Sequence, residues 1–187
     1  MVAESRMMTA YEYELLPETD KPTELIDGEL IVSAEPTPRH QLISGRIQRA
    51  LGNEAEFRNL GEWFPPLNLW ISPYNIFAPD LLFFTVDQLP NLDKPTVMEM
   101  PHIVVEIHSP STRALDLIRK RSGYADRGIA EYWIVDPVAR TLFVNIRDER
   151  GIYVDVSMIS DKIPAGIFEG SRLELAWVMG DKKSRDH

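Results

Sequence analysis

The sequence contains no cysteine, so it can form neither disulfide bonds nor thiolate metal sites, and it has no cysteine nucleophile. Its four histidines, His40, His102, His108 and His187, form no HExxH pair, which argues against a zinc peptidase. A GxxxxGK[ST] phosphate loop, a GxGxxG dinucleotide turn and a GxSxG nucleophile elbow are missing as well. These absences remove several large enzyme classes from consideration.

Long apolar runs are also missing. No segment approaches the roughly 20 apolar residues that span a bilayer, and the first residues do not resemble a signal peptide, so a cytoplasmic protein is expected. The chain has 20 basic and 29 acidic residues, a net charge of −9 over 187 residues. This charge excludes a uniformly basic nucleic-acid-binding surface but leaves room for a locally basic cleft. The 44% of hydrophobic residues suit a single domain with a sizeable core.

The first half of the chain predicts a hairpin and a long helix. Asp27-Gly28 separates two β-compatible runs within residues 23–33, a strong hairpin signal. Thr37 followed by Pro38 is typical of a helix start. Apolar residues then recur at helical spacing, which predicts a helix from about Pro38 to about Ala55.

The rest of the chain predicts mostly strands around a second helix. That helix begins at Ser111 or Thr112 and runs to about Arg127, where Gly128 ends it. Strands are predicted over residues 67–71, 79–86, 102–107, 131–136, 141–146, 151–158 and 173–178. The central order of helix, three strands, helix and strand indicates a mixed α/β fold with added strands at both ends.

Two carboxylates interrupt runs that otherwise favour burial, Asp80 after Pro79 and Glu106 within 102–107. A carboxylate in an apolar strand is costly to desolvate unless it is paired, hydrogen-bonded or bound to a metal. If the two strands were neighbours, a divalent cation such as Mg²⁺ would relieve the repulsion between the carboxylates. Alternatively, each carboxylate sits at a strand end, solvated or paired with an arginine.

The second predicted helix carries a polar sector at helical spacing, formed by Arg113, Asp116, Lys120, Tyr124 and Arg127. This sector is either a solvated face with an Asp116–Lys120 ion pair or a surface that presents Lys120 to the two carboxylates. From Arg113 to Arg127 there are five basic and two acidic residues, opposite in sign to the whole chain. The helix is therefore the best candidate for a phosphate-contacting patch.

Read in order, several motifs resemble the Uma-type restriction endonuclease family of the PD-(D/E)XK nuclease superfamily. The matching residues are Glu24-Leu25-Ile26-Asp27-Gly28, Pro36 with His40, Pro79-Asp80, Val105-Glu106-Ile107, Ser109-Pro110-Ser111-Thr112, Asp116 with Lys120 and Tyr124, and Glu131-Tyr132-Trp133-Ile134-Val135-Asp136. The resemblance covers about residues 20–147. It implies a restriction-endonuclease-like core, a mixed sheet flanked by helices, within a single domain over 1–187 that has a C-terminal β extension at 148–180.

The resemblance also implies a metal site. Asp80 and Glu106 would hold Mg²⁺ or Mn²⁺ together with the backbone carbonyl of Ile107. The lysine that the superfamily usually has two residues after the second carboxylate is His108 here, and the Uma-type pattern supplies it instead from Lys120 on the following helix. His108 is then either a ligand or proton acceptor, or a structural residue near a strand end.

Further family positions are Glu24, a possible third carboxylate, and His40, a possible contact to phosphate or to a metal-bound water. Each is alternatively a residue that satisfies local backbone groups. The expected DNA contacts are Arg113, Arg119, Arg121 and Tyr124, whereas Tyr132 and Trp133 are expected in the core.

The function predicted from these residues is a Mg²⁺-dependent DNA endonuclease that hydrolyses phosphodiester bonds. A homodimer is plausible, because cutting both strands of a duplex suits two sites. One alternative is a catalytically silent nuclease-fold protein that binds nucleic acid or a protein partner. Another is a hydrolase of small phosphorylated substrates, which would explain the acidic surface.

Overall fold

Two mixed β-sheets and a few helices make up the part of the chain that the computed structural model describes, residues 6–17, 19, 21–108, 116–158 and 160–181. None of the helices in these residues has the length and apolar character needed to cross a membrane. In chain order the elements are α1 (Ala10–Glu14), β1 (Thr23–Ile26), β2 (Glu29–Val32), α2 (Pro38–Phe57), β3 (Gly61–Phe64), β4 (Asn68–Ser72), β5 (Asn75–Phe77), β6 (Leu81–Thr85), β7 (Thr96–Val97), β8 (Ile103–Ile107), a π-helical turn (Asp116–Lys120), α3 (Arg121–Arg127), β9 (Glu131–Asp136), β10 (Thr141–Arg147), β11 (Tyr153–Ser157) and α4 (Leu175–Val178).

The larger sheet has six strands in the order β11-β10-β9-β8-β6-β3. Its neighbouring strands are antiparallel except β8 and β9, whose parallel pairing aligns Ile103 with Glu131. A parallel pair needs a crossover connection, and α3 lies in this one. Every residue of β8 and β9 is buried, which explains why both sequences read as nearly continuous apolar runs.

Helix α2 covers one face of the six-stranded sheet. The Thr37 side chain caps it by accepting a hydrogen bond from His40 N, and Pro38 occupies the first helical position, as predicted. The buried stripe of the helix has a spacing of four residues and consists of Ile43, Ile47, Leu51 and Ala55. This stripe packs into the same hydrophobic cluster as Val105 and Trp133 of the sheet.

The other face of the six-stranded sheet packs against α3 and the smaller sheet, whose strand order is β2-β1-β5-β4-β7. The predicted hairpin is confirmed as β1–β2. Asp27 and Gly28 at its turn have φ values of 52° and 77°, the positive values that a tight two-residue hairpin turn requires. The pairing places Glu24 of β1 opposite Ile31, with the glutamate buried.

The predicted fold class is confirmed, with a correction to the first strand of the core. Strands predicted at 79–86, 102–107, 131–136, 141–146 and 151–158 form as β6, β8, β9, β10 and β11. The strand predicted at 67–71 forms as β4, but it belongs to the smaller sheet. The first core strand is instead β3, a run of four residues before Pro65-Pro66 that is too short to give a clear sequence signal. The predicted order therefore describes α2, β3, β6, β8, α3 and β9.

The strand predicted at 173–178 is wrong, because residues Leu175–Val178 form α4. Leu175 N donates to Asp161 Oδ1 at 3.0 Å, which satisfies one backbone group at the helix start. The guanidinium carbons of Arg46 and Arg49 on α2 lie 4.9 and 5.1 Å from the Trp177 ring centroid. These tertiary contacts outweigh the local β propensity of the segment.

Candidate active site

Two carboxylates meet at one end of the six-stranded sheet. Leu81 of β6 pairs with Val105 of β8, and the next residues along these antiparallel strands are Asp80 and Glu106. Asp80 N donates to Val105 O at 3.0 Å. Asp80 Oδ2 accepts a hydrogen bond from Ile107 N at 2.6 Å. The strand register thus places side by side two acidic residues that are distant in sequence.

The ammonium group of Lys120 lies between two carboxylates. Its Nζ is 2.8 Å from Glu24 Oε1 and 3.0 Å from Glu106 Oε1. Glu24 comes from the smaller sheet, and its Oε1 also accepts a hydrogen bond from Ala78 N at 2.6 Å. The three charged side chains are at most 7% exposed. Because water screens these charges little, each ion pair is strong and removing one partner is costly.

The local helix geometry directs Lys120 inward. Lys120 ends the π-helical turn that continues into α3, and π-helical turns are frequent at functional sites. Tyr124 follows four residues later on the same side, and both side chains are buried. Ile118, two residues before Lys120, is 71% exposed and marks the opposite, solvent-facing side. The interpretation of Lys120 as part of a solvated face is therefore wrong.

Tyr124 is a buried hydrogen-bond donor. Its hydroxyl donates to Glu106 Oε1 at 2.6 Å, and its ring packs against those of Phe77 and Tyr132 with centroids 5.3 and 5.2 Å away. Burial, together with the negative charge of Glu106, raises the pKa of Tyr124 well above its usual value, so the phenol stays protonated. The prediction that Tyr124 contacts DNA is wrong, because the residue has no exposed surface. The hydrogen bond from Tyr124 to Glu106 was not predicted from the sequence, although the four-residue spacing from Lys120 was a usable signal.

His40, in the first turn of α2, contacts the carboxylate of Asp80. Its Nε2 is 3.1 Å from Asp80 Oδ2, and both side chains are 18% exposed. Burial lowers the pKa of His40, but the hydrogen bond and the negative charge of Asp80 outweigh burial and raise it overall. The imidazole Nδ1 is buried and has no hydrogen-bond partner among the described residues. The helix start thus holds His40 against Asp80.

His108, at the position of the usual superfamily lysine, follows β8 directly. It is buried, and its N–H donates to Val135 O at 2.8 Å. Backbone groups of successive strand residues point alternately to the two neighbouring strands. Those of Ile107 therefore face β6, in agreement with its N–H bond to Asp80. By the same alternation, the carbonyl of Ile107 also points toward β6.

The predicted phosphate-contacting patch is largely neutralised by acidic partners. Arg119 Nε lies 3.3 Å from Asp27 Oδ2 on the β1–β2 hairpin, and Arg119 Nη1 lies 3.5 Å from Glu29 Oε2 on the same hairpin. Arg121 lies 2.6 Å from Asp155 and also donates to Tyr153 O at 3.0 Å. Three of the predicted residues lie outside the described residues. They are the third predicted arginine, Arg113, and the predicted helix caps Ser111 and Thr112. Tyr132 and Trp133 are fully buried, which confirms the core prediction.

The charges of the described residues around Lys120 do not balance. Asp80, Glu24 and Glu106 contribute three carboxylates, whereas Lys120 supplies one positive charge and His40 another only when it is protonated. Among the described residues, no three Asp, Glu or His side chains stand together in an arrangement that could hold a metal ion. The oxygen donors and the surplus negative charge nevertheless suit a hard divalent cation. In the observed arrangement, cationic or proton-donating side chains of the protein itself contact these carboxylates.

Comparison with known proteins adds family information to this geometry. The Uma2 family model, described as "Putative restriction endonuclease", matches residues 10–175. The chain is also similar to the crystal structure of "a putative nuclease belonging to DUF820" from Anabaena variabilis ATCC 29413, with a TM-score of 0.78 and 19% identity over 92% of this chain and 97% of that one. At this identity the likeness shows the fold. No curated protein gives a significant match. Since the family model spans most of the sequence, this chain belongs to the Uma2 family.

Proposed function

We propose that this protein is a metal-dependent DNA endonuclease that hydrolyses phosphodiester bonds. The observation that carries the proposal is the convergence of Asp80, Glu106 and Lys120 at one end of the six-stranded sheet. Carboxylates from two neighbouring strands and a lysine from the following helix supply the charges that phosphoryl chemistry needs. Membership of a restriction endonuclease family favours DNA as the substrate.

The residues that would hold Mg²⁺ or Mn²⁺ are Asp80 and Glu106, with the backbone carbonyl of Ile107 on the same side. Glu24 is close enough to Lys120 to belong to the same charge cluster and could add a third carboxylate. A bound divalent cation supplies Lewis-acid chemistry, because it polarises the phosphate and makes water a stronger nucleophile. The surplus negative charge at this site supports such a cation.

The side chains of the protein orient groups around the scissile phosphate and stabilise its charge. Lys120 carries the positive charge that stabilises the charge developing on phosphate in the transition state. Tyr124 fixes Glu106 through its short hydrogen bond. His40, held against Asp80, is a candidate for a contact to phosphate or to the attacking water. We assign the DNA backbone contacts to Arg113, Arg119 and Arg121, of which the last two would have to exchange acidic partners for phosphates.

The test is nicking of supercoiled plasmid and cleavage of single-stranded DNA with Mg²⁺ or Mn²⁺. Asp80→Asn and Lys120→Met should each lower the rate roughly a hundredfold or more. Asp80→Asn retains the side-chain shape but loses the charge, and Lys120→Met retains most of its length. The exposed residues Glu56 and Lys94 provide matched controls, because Glu56→Gln and Lys94→Met change the same charges away from the site.

A catalytically silent nuclease-fold protein is the second candidate function, favoured by the contacts that Lys120 makes with two carboxylates. It predicts DNA or protein binding that survives chelation of metal, with no nicking by any variant. Rapid hydrolysis of small phosphate esters, with no cleavage of DNA, would instead indicate a small phosphorylated substrate.

We further propose that the protein works as a homodimer. Among the described strands, the five-residue strand β11 lies at the edge of the larger sheet, where half-exposed Val154 can meet a second copy. Sedimentation at micromolar concentration with duplex DNA should show the dimer. A monomer under these conditions would contradict it.

A further inference from the structure

The contacts of Lys120 indicate a second property of the site. Both of its carboxylate contacts, to Glu24 and to Glu106, are within hydrogen-bond distance, and all three side chains are almost completely buried. Two buried carboxylates repel each other unless a positive charge lies between them. In this structure the ammonium group provides that charge.

We infer that the Lys120 ammonium and a divalent cation compete for the Glu24 and Glu106 carboxylates. The inference rests on the proposed metal-dependent function. Calcium binds carboxylate oxygens at about 2.3–2.6 Å and magnesium at about 2.0–2.1 Å. The ammonium sits 2.8 and 3.0 Å from the corresponding oxygens, a comparable position. Metal binding then requires Lys120 to leave at least one carboxylate, which frees its charge for the substrate phosphate.

This competition has an unusual consequence for mutation of Lys120. Removing the lysine leaves two buried carboxylates without their counter-ion, so the metal-free protein should lose stability. The same change removes the positive charge that competes with the cation for the carboxylates and that repels the cation. Lys120→Met should therefore bind a divalent cation more tightly than the wild type, although it cleaves DNA poorly.

Tyr124 offers a matched control within the same site. Its hydroxyl donates to Glu106 Oε1, the oxygen that Lys120 also contacts, but it is neutral. Tyr124→Phe removes a hydrogen bond from this carboxylate and leaves the ammonium in place. A gain in metal affinity that arises from loss of positive charge should appear in Lys120→Met and not in Tyr124→Phe.

The experiment is calorimetric titration of the full chain with Ca²⁺ and, separately, with Mn²⁺, without DNA, together with thermal unfolding in Ca²⁺ and in chelator. Wild type, Lys120→Met, Tyr124→Phe and Asp80→Asn are compared. We expect Ca²⁺ to bind Lys120→Met at least tenfold more tightly than wild type and to raise its melting temperature by more. If Lys120→Met folds only in Ca²⁺, that result also supports competition, because the metal then replaces the missing ammonium.

Two negative results have different meanings. If wild type binds Ca²⁺, Asp80→Asn weakens this binding and Lys120→Met binds no more tightly than wild type, the competition is overturned and the proposed metal site stands. If none of the four proteins binds Ca²⁺ or Mn²⁺, both the competition and the proposed metal-dependent function are overturned.

Discussion

Buried glutamates lie at both ends of the β8–β9 pair, and their surroundings differ. At one end, Glu131 accepts hydrogen bonds from Trp133 Nε1 at 2.9 Å and from Ile167 N at 2.6 Å, with His102 Nε2 at 3.3 Å. At the other end, Glu106 contacts the Lys120 ammonium and the Tyr124 hydroxyl.

The difference between the two ends separates a structural carboxylate from the one that we propose to be functional. Backbone and indole N–H groups are fixed donors, and they tie Glu131 to the loop at Ile167. The partners of Glu106 include a charged side chain that is shared with a second carboxylate. Burial alone therefore does not distinguish the proposed catalytic carboxylate from Glu131, whereas the lysine shared with a second carboxylate does.

The largest expected difference between the two ends concerns activity. Glu106→Gln should lower metal-dependent nicking at least a hundredfold, because it removes a charge that the metal needs. Glu131→Gln should leave the nicking rate within about threefold of wild type, since it lies at the opposite end of the sheet. Equal losses in both variants, measured under conditions where both are folded, would remove the distinction.

The next largest difference concerns stability. Glu131→Ala leaves the Trp133 indole N–H and the Ile167 backbone N–H without their acceptor, and should lower the free energy of unfolding by about 2–4 kcal/mol. Glu131→Gln keeps an acceptor oxygen and should cost less. Urea unfolding followed by tryptophan fluorescence measures both. A cost below about 0.5 kcal/mol for Glu131→Ala would contradict the structural role.

Gly166 tests how tightly Glu131 is enclosed. A Cβ atom at this glycine would lie 2.3 Å from Glu131 Oε2, and the backbone has a φ of +89°. Gly166→Ala should therefore destabilise the protein by about 2 kcal/mol or more, from both backbone strain and crowding. Gly170 is the matched control, because its φ is +80° but, among the described residues beyond its two chain neighbours, no atom lies within 4 Å of the added Cβ. Equal costs for the two alanine variants, in the same unfolding assay, would mean that crowding against Glu131 contributes nothing.

The smallest effect is expected at Arg119, near the end of the strand pair that carries Glu106. Its ion pairs with Asp27 and Glu29 are partly exposed, so Arg119→Ala should change the free energy of unfolding by less than about 1 kcal/mol. If Arg119 contacts a phosphate, the same variant should bind DNA less tightly and lower the salt dependence of binding by about one unit of slope. An unchanged slope would remove Arg119 from the proposed DNA contacts.

Much of this site could be predicted from sequence because its signals are local or belong to the family pattern. Apolar runs interrupted by Asp80 and Glu106 identified the two strands and their carboxylates, and the family spacing singled out Lys120. The caps at Thr37 and Pro38 and the turn at Asp27-Gly28 are short-range signals that the structure confirms.

The features that could not be predicted depend on tertiary structure. The pairing of β3 with β6 and the helical state of Leu175–Val178 are decided by contacts between segments distant in sequence. The burial of Tyr124 likewise depends on Phe77 in the smaller sheet. Helical spacing grouped Tyr124 with Lys120, but it could not show which side of the helix faces the core.

The most direct test of the metal site is a crystal structure of the protein soaked with Mn²⁺, located by its anomalous scattering. We predict a peak within about 2.0–2.6 Å of carboxylate oxygens of both Asp80 and Glu106, the range for hard divalent cations. In the same map, Lys120 should have moved away from Glu24 or Glu106. A fully occupied Mn²⁺ site elsewhere, with the Lys120 ion pairs intact, would contradict the assignment.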